Sequence, residues 1–223
     1  MNKFNEQAGR TKKMVYIALL IAVELVLSVT PLGYVPVGVI RATTIHIPVI
    51  IGAILFGPIV GALLGGVFGL TSLLNNTFNP TVTSFVFSPF YSVGEFHGNF
   101  WSLVIALVPR ILIGIVAYYV FKMTYKCAQR WDKNKILSFV CAGLLGSLTN
   151  TLLVMGGIYV FFGQSYALAR SIPYETLLGV IMGIIGTNGV VEAIVAALLT
   201  VFVAKPLIAV TKLDIAAIKK HEV

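Results

Sequence analysis

Six polar residues interrupt otherwise apolar stretches of this chain: Glu24, His46, Arg110, Asn150, Asn188 and Glu192. Arg110 is the most demanding of them, because it lies inside Trp101 to Phe121 (WSLVIALVPRILIGIVAYYVF). Nine residues of helix place it about 13 Å from the aromatic end, near the middle of a hydrocarbon core about 30 Å thick. A guanidinium at that depth costs about 3 kcal/mol on insertion scales, so it requires an anion. Asn188 and Glu192 are spaced four apart and share one helix face, while Asn150 sits within LTNTLL. An arginine fork suits a carboxylate, and asparagine amides suit hydroxyls and amides. The inventory fits a small polar anion carrying hydroxyl and amide groups.

A structural reading of the same residues stays open. Arg110 could pair with Glu192 or Glu24, and the asparagines could join helices to one another. One arginine cannot neutralise two charged glutamates, so this reading leaves one carboxyl protonated or another partner involved. His46, at the start of an apolar run, reads either as a polar anchor near the membrane surface or as part of the ligand set. No second His or Cys stands near it in a metal spacing, and Cys127 and Cys141 form no CxxC pair.

The elements that must position these groups are membrane spans. Of 223 residues, 58% are hydrophobic and 11% charged, with a mean hydropathy of +0.95. Soluble domains carry about a quarter charged residues, so the chain reads as an all-α membrane protein with one integral domain, 1–223. Apolar runs fall at about 14–30, 45–57, 58–74, 101–121, 136–161 and 175–204. The second and third are joined only by Gly57-Pro58, and hydropathy alone leaves open one bent span or a hairpin of two.

Charge separates these alternatives. Six spans with the N-terminus inside put thirteen of the sixteen Lys and Arg in the cytoplasm. They are Lys3, Arg10, Lys12 and Lys13; Lys122, Lys126, Arg130, Lys133 and Lys135; and Lys205, Lys212, Lys219 and Lys220. Only Arg41 and Arg170 fall outside, with Arg110 within the membrane. Merging 45–74 into one span would strand most of these charges outside, against the positive-inside bias. The net charge of +8 therefore belongs to topology and not to nucleic acid. Both termini are expected in the cytoplasm, with the first span uncleaved. The outward loops are then 31–44, 75–100 and 162–174. The second of these lacks Lys and Arg and is rich in Phe, which fits either an interfacial aromatic belt or a lid over a pocket.

Span 14–30 carries Ala18-xxx-Ala22, about 140° away from Glu24 around the helix at 100° per residue. A smooth face of small residues lets another helix approach closely in lipid. The Gly61, Gly65, Gly69 series in the third span offers the same device. No GxxxxGK[ST], HExxH or GxSxG is present, and no inverted repeat of broken helices. An enzyme is not expected.

Length, six spans and the AxxxA of the first one together resemble the substrate-binding S components of energy-coupling factor (ECF) transporters. Residues 42–72 (ATTIHIPVIIGAILFGPIVGALLGGVFGLTS) are similar to the region where a short second helix turns through Gly-Pro into a glycine-rich third. The blocks SFVFSPF (84–90) and PRILIG (109–114) resemble the pantothenate-specific branch. The resemblance implies an S-component bundle in the bacterial plasma membrane. It would capture a vitamin in an outward-facing pocket and topple in the membrane to release it inside. It implies a coupling transmembrane subunit and two ATPases as partners, with ATP and Mg bound there and no cofactor in this chain. Ala18 and Ala22 would dock on the coupling subunit. The expected substrate site is Arg110, Asn150, Asn188, His46 and Glu192, with pantothenate favoured. Alternatives are an S component for riboflavin, folate, thiamine or a pyrimidine precursor, or a membrane assembly protein without a ligand.

Overall fold

A computed structural model describes residues 2–37, 40–211 and 215. Lys212, Lys219 and Lys220, which enter the charge count, lie outside the described residues. The chain is a helical bundle: α1 (Asn2–Val29), α2 (His46–Phe56), α3 (Pro58–Phe78), α4 (Phe100–Ala128), α5 (Ile136–Ala169), α6 (Tyr174–Ile184) and α7 (Val190–Thr211). A π-helical turn, Ile185–Gly189, joins α6 to α7. Four of the described helical stretches are long and apolar enough to cross a membrane: α3, α4, α5 and Tyr174–Ala209. The helix α2 is shorter, with 11 residues. Large apolar side chains such as Leu63, Leu70, Val160, Leu168 and Phe202 point outward from the bundle, as lipid-facing residues do.

The chain breaks at Gly57, between α2 and α3. Gly57 has φ 103°, a conformation that side chains rarely adopt, and Pro58 opens α3 where its missing N–H is harmless. The chain then folds back on itself, so that Gly61 lies against Ala53 and Leu64 against Gly52. The helix α2 is buried from His46 through Leu55. A helix apolar on every side belongs in the middle of a bundle, and α2 packs against α1, α3, α4, α5 and α7.

Small residues set how closely its neighbours approach. A Cβ on Gly114 would collide with the Gly61 backbone, and one on Gly69 would lie 2.8 Å from the Ala106 carbonyl oxygen. A Cβ on Gly65 would collide with the Arg110 carbonyl. The glycine stripe of α3 is therefore an internal seam that holds α4, including the turn bearing Arg110. Between α5 and α7, Gly143 lies against Ala196 and Ala197.

The connections at one end carry structure that the loop boundaries did not anticipate. A hairpin of β1 (Tyr34–Val37) and β2 (Ile40–Thr43) pairs antiparallel, with Tyr34 opposite Thr43. A second, β3 (Ser92–Val93) with β4 (Phe96–His97), lies within 79–99. The protein is mostly helical as expected, and the two small hairpins satisfy backbone groups that a bare loop would leave unpaired. The helix α5 runs on to Ala169, leaving a connection of 170–173 in place of 162–174. Phe162, Tyr166 and Ala167 are buried in the apolar cluster around Phe85, and this packing prolongs the helix. At the opposite end, Asp132 accepts hydrogen bonds from the amides of Leu137 and Ser138 and from the Ser138 hydroxyl. Burial pushes its carboxyl pKa up, but these bonds outweigh burial and hold it below the usual carboxylate range.

The Gly61–Gly114 contact generates a stability test. Gly114→Ala should lower the thermal midpoint in detergent, at a cost of about 1–3 kcal/mol from overpacking. Gly66→Ala, where a Cβ meets nothing within 4 Å, should leave it unchanged or raise it. Equal midpoints for Gly114→Ala and the parent would contradict the close seam.

Candidate functional site

Arg110 is 7% exposed and lies on α4 immediately after Pro109, the proline inside that helix. Helical side chains slant toward the helix N-terminus, so the guanidinium reaches back along α4 toward the end carrying the hairpins. Its Nη1 donates to the Ile105 carbonyl at 2.6 Å. Its Cζ sits 5.7 Å from the centre of the Phe68 ring and 5.4 Å from that of Phe87, within range of cation–π attraction.

Phe87 belongs to the segment that could have been a lid or an interfacial belt. Here it is tucked into the bundle. Ser84, Phe85, Val86 and Ser88 are buried, and Phe85 stacks on Phe96 and meets Phe162 edge-on. The Ser84 hydroxyl donates to Asn76 Oδ1 at 2.8 Å, and Ser102 donates to the Phe85 carbonyl at 2.7 Å. The segment covers Arg110 and is anchored on α3, α4 and α5.

Glu192 lies on α7 just beyond the π-helical turn, and its Oε1 accepts from the Thr43 amide at 3.0 Å. A carboxylate at bundle depth thus holds the last residue of β2, linking the first hairpin to the helix that also bears Asn188. Asn188 lies in the π-helical turn, and its Oδ1 accepts from the Thr187 hydroxyl at 3.2 Å. Turns of this kind widen the helix locally and occur often at functional sites.

Contacts between helices bring the remaining residues to a common level. Ala117 and Ile50 both approach Gly146, and Ile105 approaches Gly157. Between these rungs, Arg110 falls beside the Asn150–Leu153 turn of α5. Gly189 approaches Thr151, which sets Asn188 at the same height. His46 is one turn above Ile50, and Asn150 one turn above Gly146. His46, Arg110, Asn150 and Asn188 therefore lie at neighbouring levels of the bundle, on α2, α4, α5 and the π-helical turn.

Several polar atoms at this level are buried with no hydrogen-bond partner. They are both ring nitrogens of His46, Asn150 Oδ1, Thr151 Oγ1 and Ser147 Oγ. Such orphans are rare in native structures, where buried polar atoms are generally paired. His46 is 1% exposed, so it is no surface anchor. Glu24 is fully buried and neither of its oxygens has a hydrogen-bond partner. The pairing of Arg110 with Glu24 is therefore not realised as a hydrogen bond. On the opposite face of α1, Ala18 and Ala22 are exposed.

Sequence reasoning missed Phe68, Phe87, Pro109, Ile105, Thr43, Ser147 and Thr151 as parts of this arrangement. Pro109 carried a signal, since a helical proline next to a buried arginine leaves a carbonyl in need of a donor. Thr43 and Phe87 carried none, because their partners are remote in sequence.

Comparison with known proteins decides the family. The sequence profile of the family described as ECF transporter, substrate-specific component, matches residues 12–204. The chain belongs to this family. It is 40% identical over 191 residues to the pantothenic acid transporter PanT of Lactococcus lactis subsp. cremoris (strain MG1363), covering 83% of this chain and 86% of that one. It is 29% identical over 216 residues to the pantothenate transporter PanT of Leuconostoc mesenteroides subsp. mesenteroides, covering 92% and 96%. As an ECF S component it is a multi-pass protein of the cell membrane. The two blocks that carried the branch resemblance, 84–90 and 109–114, meet in space where Phe87 faces Arg110.

The Glu192 contact makes a measurable claim about the hairpin. Glu192→Ala should speed hydrogen exchange at the Thr43 amide and sensitise 34–43 to proteolysis. Glu192→Gln, which keeps an acceptor oxygen, should show a smaller change. Unchanged exchange in Glu192→Ala would mean the hairpin is held by other contacts.

Proposed function

We propose that this S component captures pantothenate from outside the cell, with Arg110 holding the carboxylate. The observation that carries the reading is the Arg110 guanidinium itself. It is buried, fixed through one edge on the Ile105 carbonyl and covered by Phe87, at the level of several unpartnered polar atoms. Pantothenate is a carboxylate with two hydroxyls and an amide. Asn150, Asn188 and His46 would bond the hydroxyls and the amide, and Glu192 would bias the orientation of Arg110 from behind while holding the first hairpin. The names of both relatives support the same substrate. In this reading the hairpin end faces outward and both termini lie in the cytoplasm, in keeping with the lysine and arginine distribution.

The binding test is a titration of purified protein with pantothenate, with riboflavin, folate and thiamine as controls. Saturable binding of pantothenate alone is expected, and its absence in folded protein would defeat the assignment. Arg110→Lys keeps the charge and loses the planar fork, so it should weaken binding at least about tenfold. Parent-like affinity would remove the bidentate role.

Energy would come from a coupling transmembrane subunit and two ATPases, since the chain has no P-loop. Ala18 and Ala22 would form the docking face on that subunit, because they are exposed and point away from Glu24. Ala22→Trp should abolish uptake in cells and leave pantothenate affinity in purified protein intact. Loss of both together would place the alanine pair in internal packing instead.

A further inference from the structure

In a regular helix the N–H of residue 109 would donate to the carbonyl of residue 105. Proline has no N–H, so Pro109 deprives the Ile105 carbonyl of that partner within a buried part of the helix. A buried carbonyl without a donor is costly. Arg110 meets both needs at once. Its side chain folds back along α4, and Nη1 donates to Ile105 at 2.6 Å. The guanidinium gains a strong acceptor at a depth where water is scarce, and the carbonyl gains a charge-assisted donor.

We propose that Pro109 is a positioning residue for the anion-binding fork of Arg110. By withholding its own N–H, it reserves the Ile105 carbonyl for the guanidinium and so sets the plane and direction in which the fork meets a carboxylate. This rests on the reading of Arg110 as the carboxylate site and deepens it. Two further contacts suit the same purpose. The Phe68 and Phe87 rings hold the guanidinium carbon at 5.7 and 5.4 Å, and neither can accept a conventional hydrogen bond. The rings restrain the cation, and the carbonyl supplies the direction. The close seam beneath, where Gly65 meets the Arg110 carbonyl, keeps the backbone of this turn in place.

The prediction is counter-intuitive for a helix. Pro109→Ala removes a helix breaker, and the new N–H should complete the bond to Ile105. The fold should be retained, while the guanidinium must compete with that N–H for the Ile105 carbonyl and lose the direction it sets. Pro109→Val offers the same N–H with more of the ring's volume, and serves if the alanine variant packs poorly.

Two readouts distinguish positioning from general structural support. In protein labelled with ¹⁵N-arginine and without ligand, the Arg110 Nη signals should show restricted rotation in the parent, lost in both variants. In titrations, pantothenate affinity should fall about ten- to hundredfold, the size expected for a misplaced charge-assisted contact. Panthenol, the neutral alcohol in place of the carboxylate, should bind parent and variants equally. Equal losses for both ligands, or unchanged pantothenate affinity, would overturn the positioning role. Failure of the parent itself to bind pantothenate would overturn the substrate assignment on which the role depends. Parent binding with unaffected variants would overturn the positioning role alone.

Discussion

The burial of one guanidinium governs much of this molecule. An arginine near the middle of an apolar bundle persists only if its donors find acceptors and its charge finds compensation. Here the helix that bears Arg110 supplies the acceptor, because Pro109 leaves the Ile105 carbonyl in need of a donor. The Phe68 and Phe87 rings add attraction from their faces. These contacts come from α3, α4 and the 79–99 connection. Holding the arginine therefore also ties these elements together around one point.

The second constraint is the close approach of backbones. In lipid there is no hydrophobic force between helices, so packing and shape decide which faces meet. Glycines at 61, 65, 69 and 114 allow α3 and α4 to touch along their backbones, while Gly143 does the same between α5 and α7. The helix α2 is enclosed by the others. Its burial places His46 in the interior, although its position in the sequence resembles that of a surface anchor. Close packing of this kind leaves few ways for the turn around Arg110 to shift.

Polar groups then assemble on this apolar frame. His46, Asn150, Thr151 and Ser147 present buried atoms without partners at one level of the bundle. The Glu192–Thr43 bond joins the first hairpin to α7, and the buried Ser84–Val86 turn joins the second connection to α3, α4 and α5. Both connections thus report on the helices that carry the proposed substrate contacts. A ligand that moved Arg110 or Glu192 would act directly on the two segments that cover the end of the bundle.

Much of this was readable from the chain alone. The break at Gly57-Pro58 followed from the distribution of lysine and arginine, because membrane orientation is governed by local charge. Arg110, Glu192 and the asparagines stood out because polar groups are expensive in apolar runs, wherever they lie in sequence. The glycine stripe announced a close helix contact, though not its partner. The partners depended on three-dimensional register: which helix met that stripe, which ring covered the guanidinium, and which backbone amide Glu192 would hold. The two hairpins and the extension of α5 also lay beyond composition, since they arise from backbone pairing and from contacts around Phe85. Insertion into a membrane is priced residue by residue, so a sequence reveals it. Contacts between residues far apart in the chain depend on how helices pack, and only the folded bundle specifies them.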